Sequence, residues 1–164
     1  TGGFFINLQS IRGPLGTTPI HMCCEHGAQE CLNFLLRLQS SQYHDMMKWT
    51  DANGATPLHV AARVGFGVAT LCRGSGSAAP TVTTADMFGM LPIHYAALRC
   101  DFSDLKELLQ AGSQHDQLFT KDHTFKSGLD FVNEARTGKD WTQCASYLQE
   151  QMDNYKLDLK MMKK

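Results

Sequence analysis

The sequence has no excess of charge of either sign: 15 Lys and Arg stand against 16 Asp and Glu, a net −1, and charged residues make up only 19% of the chain. The electrostatic footprint of a protein that binds nucleic acid or an anionic membrane is missing. With 43% hydrophobic residues there is enough apolar material for one packed core and too little charge for a disordered tail. No stretch approaches the roughly 18 consecutive apolar residues of a membrane-spanning helix, and Thr1-Gly2-Gly3-Phe4-Phe5 lacks the basic start and long apolar run of a signal peptide. These absences predict a soluble, cytoplasmic protein, with the nucleus also open, that binds no nucleic acid and inserts into no membrane. Beginning at Thr1 rather than at a methionine, the chain reads as an excised piece of something longer, with Thr1 to Gly3 a remnant, so that its function is only part of its parent's.

Catalytic signatures are missing too. Gly74-Ser75-Gly76-Ser77 lacks the following Lys and the strand–helix setting of a phosphate-binding loop, and there is no Gly-x-Ser-x-Gly elbow. The six cysteines, at 23, 24, 31, 72, 100 and 144, are irregularly spaced in a chain long enough to fold without staples, which argues against a disulfide framework. His21, Cys23, Cys24, His26 and Cys31 form the densest reactive cluster, but adjacent cysteines on a helix point about 100° apart, whereas structural zinc draws paired ligands from two separated knuckles. The expectation is a protein with no catalytic residue, no metal and no cofactor.

What is present is a repeat. Gly16-Thr17-Thr18-Pro19-Ile20-His21 returns as Gly54-Ala55-Thr56-Pro57-Leu58-His59 and as Gly89-Met90-Leu91-Pro92-Ile93-His94, with the prolines 38 and then 35 residues apart. Thr followed by Pro reads as a helix start, the hydroxyl capping free backbone donors and Pro taking the first turn, where its missing N–H costs nothing. Each string continues into small residues, Cys23-Cys24, Ala61-Ala62 and Ala96-Ala97, which let one helix approach its neighbour closely. Gly27 and Gly65 can end those helices in a left-handed turn. Second helices come next, with stripes such as Cys31, Leu32, Leu35 and Leu36 or Leu105, Leu108 and Leu109, the latter closed by Gly112.

These residues resemble the ankyrin repeat, whose signature is Thr-Pro-Leu-His followed by a small-residue helix, a Gly turn and a leucine-rich outer helix; residues 51–65 carry it most fully. The resemblance implies an all-α solenoid of stacked helix–turn–helix units with hairpin-like finger loops. As one domain over 1–164 it comprises repeats at about 13–50, 51–85 and 86–121, then a degenerate fourth with a long C-terminal helix at about 122–164. The fourth copy begins at Asp122, with Ser127-Gly128-Leu129-Asp130 for the signature, and Ile6-Asn7 reads as the end of a preceding unit. It also implies that Thr18, His21, Thr56, His59 and His94 are structural, each His bonding to the Thr and to neighbouring backbone.

Three departures carry expectations of their own. Leu91 denies His94 the Thr hydroxyl, and Cys100 stands where the inner helix usually ends on Gly, which requires a strained left-handed residue or a rebuilt turn. The second outer helix, running into Arg73-Gly74-Ser75-Gly76-Ser77, is expected to be short, and 73–85 to be a flexible loop in which Thr81, Thr83 and Thr84 are open to phosphorylation. Asp45-Met46-Met47-Lys48-Trp49 reads as a short turn tucking Trp49 against the stack.

From Trp141 through Cys144, Leu148, Met152, Tyr155 and Leu159 to Met162 a helical stripe lasts some six turns. It is either a cap on the last repeat or, from about Met152 onward, an overhang that docks a partner or, through Tyr155–Met162, a second copy of the chain.

The family binds proteins on its concave side. The equivalent positions here are Pro14, Leu15, Thr17, Glu25 and His26, then Ala52, Asn53, Ala55, Arg63 and Val64, then Met87, Phe88, Met90, Leu98 and Arg99. The last set places apolar area where water should be. Arg63 and Arg99 fall one register step apart, so the expected partner is a protein segment with an apolar anchor over Phe88 and Met90 and an acidic residue reaching either Arg. The loop at 73–85 or a further repeat could instead cover the patch, and the chain could be the regulatory or targeting arm of a larger enzyme or channel.

Overall fold

The computed structural model describes residues 7–8, 10–39, 46–74, 81–136 and 140–163. The Ile6 half of the expected preceding unit, Asp45, and residues 75–80 of the expected loop lie outside the described residues.

Helices α1 (Pro19–Glu25), α3 (Pro57–Val64), α5 (Pro92–Arg99) and α8 (Gly128–Ala135) pack side by side as an inner row, and α2 (Gln29–Gln39), α4 (Val68–Gly74) and α6 (Phe102–Ala111) lie behind the first three. Each of α1, α3 and α5 begins with its proline at the first turn. Cys24, Ala61, Ala62, Ala96 and Ala97 are fully buried where inner helices meet, so small side chains set the layer spacing. Leu32, Leu71, Leu105 and Leu108 fill the space between rows. Among the described residues there is no strand: the chain is an all-α solenoid with a C-terminal helix.

The turns reflect the sequence's departures. Gly65 ends α3 at φ +76°, and Cys100 ends α5 at φ +51°, a left-handed non-glycine residue. Burial of the Cys100 side chain and a hydrogen bond from the Cys144 thiol to its carbonyl (3.2 Å) hold that turn. Helix α4 has only seven residues, as its sequence predicts. The expectation of a flexible 73–85 loop is corrected over its described end: Thr81 and Val82 are buried, the Thr81 hydroxyl meets Thr56 Oγ1 (3.2 Å), and Val82 fills the space over Gly112. Thr81 is therefore enclosed rather than presented to a kinase. At 46–48 a single 3-10 turn buries Met46 and Met47 more deeply than Trp49.

The repeat pattern does not predict α7 (Gln114–Phe119), a short helix started by the Ser113 hydroxyl. It supports α9 (Trp141–Met162), a 22-residue helix whose Cys144 and Leu148 are buried against the stack. Tyr155 packs between His115 and Phe119 of α7, with ring centroids 5.2 and 5.7 Å away. The helix therefore caps the stack as far as Tyr155, and residues 156–163 stand exposed. Tyr155→Ala should cost about 1 kcal/mol and release the end of the helix, read as faster hydrogen exchange over 149–162 with α1–α6 unchanged.

Candidate functional site

Four fingers of one geometry lie ahead of the inner helices, at Gly13–Thr17, Asp51–Ala55, Asp86–Met90 and Asp122–Lys126. In each, the first residue's N–H donates to the fifth residue's carbonyl (2.7, 3.0, 3.0 and 2.9 Å), and the fourth residue's N–H returns to the first carbonyl. In the last three, the aspartate Oδ1 accepts two further backbone N–H groups, from Asn53 and Ala55, from Phe88 and Met90, and from Thr124 and Lys126. Sequence reasoning missed these aspartates, although the signal is there: Asp stands six residues before Pro57, Pro92 and Gly128, with Gly13 at that position in the first copy. The fingers are also stitched to one another, Ala52 N–H to Leu15 O (2.8 Å), Met87 N–H to Asn53 O (2.9 Å) and His123 N–H to Phe88 O (3.0 Å).

The tip needs a left-handed residue, supplied by Gly16, Gly54 and Gly89 at φ +72 to +75° but by Phe125 at φ +63° in the fourth finger. A phenylalanine in that conformation, 80% exposed, is unfavourable twice over. Phe125→Gly should therefore leave the protein as stable or up to about 1 kcal/mol more stable, measured by urea unfolding.

His21, His59 and His94 are buried and join each inner helix to the succeeding layer. The N–H groups of Thr18, Thr56 and Leu91 donate to ring Nδ1 at 3.2, 3.0 and 2.8 Å, and Nε2 lies 2.9, 3.0 and 3.1 Å from the carbonyls of Ala55, Met90 and Thr120. A backbone N–H can only donate and a carbonyl only accept, so one tautomer fits all three: neutral imidazole protonated on Nε2. The Thr18 and Thr56 hydroxyls add a contact to Nδ1 at 2.6 and 2.8 Å. His94 lacks that hydroxyl, as Leu91 dictates, yet keeps both backbone bonds. Burial, partly offset by the carbonyl each ring bonds, holds all three below the usual imidazole range.

With both nitrogens committed, His21 has none for a metal, and burial pushes the Cys24 thiol up to about 12 and the Cys23 thiol upward. Among the described residues no group of three or more His, Cys, Asp or Glu is placed to hold a metal ion.

Between the fingers and the exposed faces of α1, α3 and α5 lies a concave cleft of about 450 Å³. It gathers Glu25, His26, Asn53, Arg63 and Phe88 of the sequence-predicted residues and adds Met22, Asp51, Asp86 and Tyr95. Met87 and Leu98 are exposed (56% and 42%) but lie outside its lining. Two expectations are corrected. Met90 is buried (8% exposed): at the base of its finger its N–H is held by Asp86 and its carbonyl by His59, and the side chain joins the core. Arg99 does not line the cleft with Arg63. Its guanidinium lies over Gly65, where a Cβ would come within 1.6 Å of Nη1, and 3.7 Å from Asp101, in a separate hollow with Phe102, Asp140 and Gln143. Arg63 is 3.8 Å from Glu25, so it already faces a carboxylate.

No curated protein matches the chain. The family model described as "Ankyrin repeats (3 copies)" matches residues 4–79, and the proline-started inner helix, buried His and finger turn of the matched part continue through the third layer, where Leu91 stands for the Thr, and in altered form into the fourth. The chain carries ankyrin repeats.

Proposed function

We propose that the chain is a non-catalytic interaction module that receives a protein partner in the concave cleft, with Phe88 as its anchor and Glu25, His26, Asn53 and Arg63 around it. Ankyrin repeats are in general protein–protein interaction modules. The observation that supports this site most is Phe88, 51% exposed on a finger whose backbone is held by the Asp86 carboxylate and by His123, with Leu15 and Met22 exposed along the same cleft. A rigid, unsatisfied apolar group on a concave wall is what a contact site requires. Met87 and Leu98 extend the apolar rim. The module is one domain with repeats bounded at about residues 50, 85 and 121, and it works in the cytoplasm, where its six cysteines remain free thiols.

Photo-crosslinking tests the site. Benzoylphenylalanine at position 88 of the full-length protein should give covalent adducts in cells, and the same group at Phe34, exposed on outer helix α2, should not. Adducts from position 34 alone would overturn the concave assignment.

A second reading rests on α9, where Leu157, Leu159, Met161 and Met162 are exposed beyond Tyr155, by 58, 41, 68 and 84%. It makes that end of the Tyr155–Met162 stripe a self-association surface. Sedimentation velocity should then show a concentration-dependent dimer that disappears when the chain is cut after Lys156; a monomer at all concentrations rejects it.

A further inference from the structure

The charge of the cleft assigns the chemistry of what enters it, and the sign is opposite to the one that register counting of Arg63 and Arg99 suggests. Resting on the concave-cleft reading, we propose that the partner is an extended protein segment bearing Lys or Arg beside an apolar side chain, with the apolar group seated on Phe88 and the cation drawn to Glu25 and Asp51.

Three carboxylates line the cleft, Glu25, Asp51 and Asp86, against a single guanidinium, that of Arg63. Arg63 faces Glu25 at 3.8 Å, and Arg99 has left for Gly65 and Asp101. Arg12, the cation at the first finger, turns its guanidinium to the carbonyls of Gly16 and Thr50. Two of the carboxylates, Asp51 and Asp86, are also fixed in place. Asp51 and Asp86 each hold two backbone N–H groups of their own finger with Oδ1, and Asp86 Oδ2 accepts the Tyr95 hydroxyl at 2.6 Å. These charges are therefore built into the finger framework and cannot swing away from a ligand of like sign. Among the described residues of the cleft an acidic segment would lie against fixed negative charge without a free cation to meet it, a juxtaposition that discriminates strongly against wrong partners. A basic segment finds complementary charge on the cleft floor and apolar area at Phe88, Leu15 and Met22, exposed by 51, 71 and 37%. A cleft of about 450 Å³ has room for a few side chains of such a segment.

The test is selection of a phage-displayed library of random dodecapeptides on the immobilised chain, followed by affinity measurement of the enriched peptides against Glu25→Lys, Phe88→Ser and Arg63→Gln. All three positions are exposed, and circular dichroism checks that each variant folds. The expected outcome is enrichment of net-basic peptides with an apolar residue next to Lys or Arg. Their affinity should fall about tenfold with Glu25→Lys and with Phe88→Ser, rise with Arg63→Gln, and weaken with salt. Enriched peptides that are net acidic, lose affinity with Phe88→Ser and also lose it with Arg63→Gln overturn the charge assignment and leave the cleft as the binding site. Peptides that bind Phe88→Ser and Glu25→Lys as tightly as the parent, or no enrichment, overturn the cleft reading itself.

Discussion

His59→Ala is expected to lower the unfolding free energy by about 3–5 kcal/mol, the sum of a ring-sized cavity and of a buried N–H left without its partner. The ring occupies the interface between α3 and the third finger, is 1% exposed, and satisfies the Thr56 N–H and the Met90 carbonyl together. Removing it strands the Thr56 N–H where water does not reach, leaves the Met90 carbonyl only the Asp86 N–H, and detaches one layer from the next. Against a whole-protein stability of about 5–15 kcal/mol this is a large fraction. In a stack whose layers contact only their neighbours it should also split the unfolding transition, so the readout is a denaturant titration followed by circular dichroism, with m-value as well as midpoint. His26→Ala, at an exposed position on the next turn after α1, should change stability by less than about 0.5 kcal/mol. Equal effects from the two substitutions would mean that the buried rings do not join the layers.

Acid should unfold the protein over a pH range in which an ordinary domain is little affected. His21, His59 and His94 are held neutral in the fold because burial disfavours the imidazolium, while in the unfolded chain they take up a proton near pH 6.5. Stability is therefore full above that pH and falls as pH drops below it, at about 1.4 kcal/mol per pH unit for each ring that titrates only when unfolded. Asp104 opposes the trend. Burial and the neighbouring Asp101 push its carboxyl up to about 6 against the pull of Arg99, so the folded protein binds one proton that the unfolded chain does not until lower pH. Three rings against one carboxyl still leave a net uptake of protons on unfolding, so the balance of these groups is a loss of stability as pH falls below about 6.5. Further down, Asp130 and Asp122 add to the loss. The Ser127 N–H and hydroxyl hold Asp130 below the usual carboxylate range, and at Asp122 burial is outweighed by the N–H groups of Lys126 and Thr124 and by the Thr124 hydroxyl. Urea midpoints measured from pH 8 to pH 5 check this; a flat profile down to about pH 5 would contradict the neutral, committed state of the rings.

The strings around Pro19, Pro57 and Pro92 made the inner helices readable, because a helix start, a small-residue face and a left-handed stop are all local properties of consecutive residues. The left-handed Cys100, the short α4 and the lost hydroxyl at His94 were legible for the same reason. Direction within a loop was not. Nothing in Met87-Phe88-Gly89-Met90 distinguishes the exposed Phe88 from the buried Met90; that depends on Asp86 closing the finger and on His59 reaching across from the previous layer, a partner 31 residues away. Arg99 illustrates a second limit, since helical register gave its azimuth but not the vacancy over Gly65 that its long side chain fills. Val82 shows the same for composition: it lies in a stretch rich in Gly, Ser, Ala and Thr, yet it packs over Gly112. The finger aspartates could have been found, since their offset from each helix start is constant.

The most direct test of the account is long-range nitrogen–proton NMR of the imidazole rings as the chain is taken from neutral pH to about pH 5. Three rings, those of His21, His59 and His94, should be neutral with the proton on Nε2 at neutral pH and should charge, while the protein is folded, only below the ordinary imidazole range. A ring of the three that carries its proton on Nδ1, or that charges in the folded protein near the ordinary value of about 6.5, would contradict the claim that histidine joins the layers of this stack.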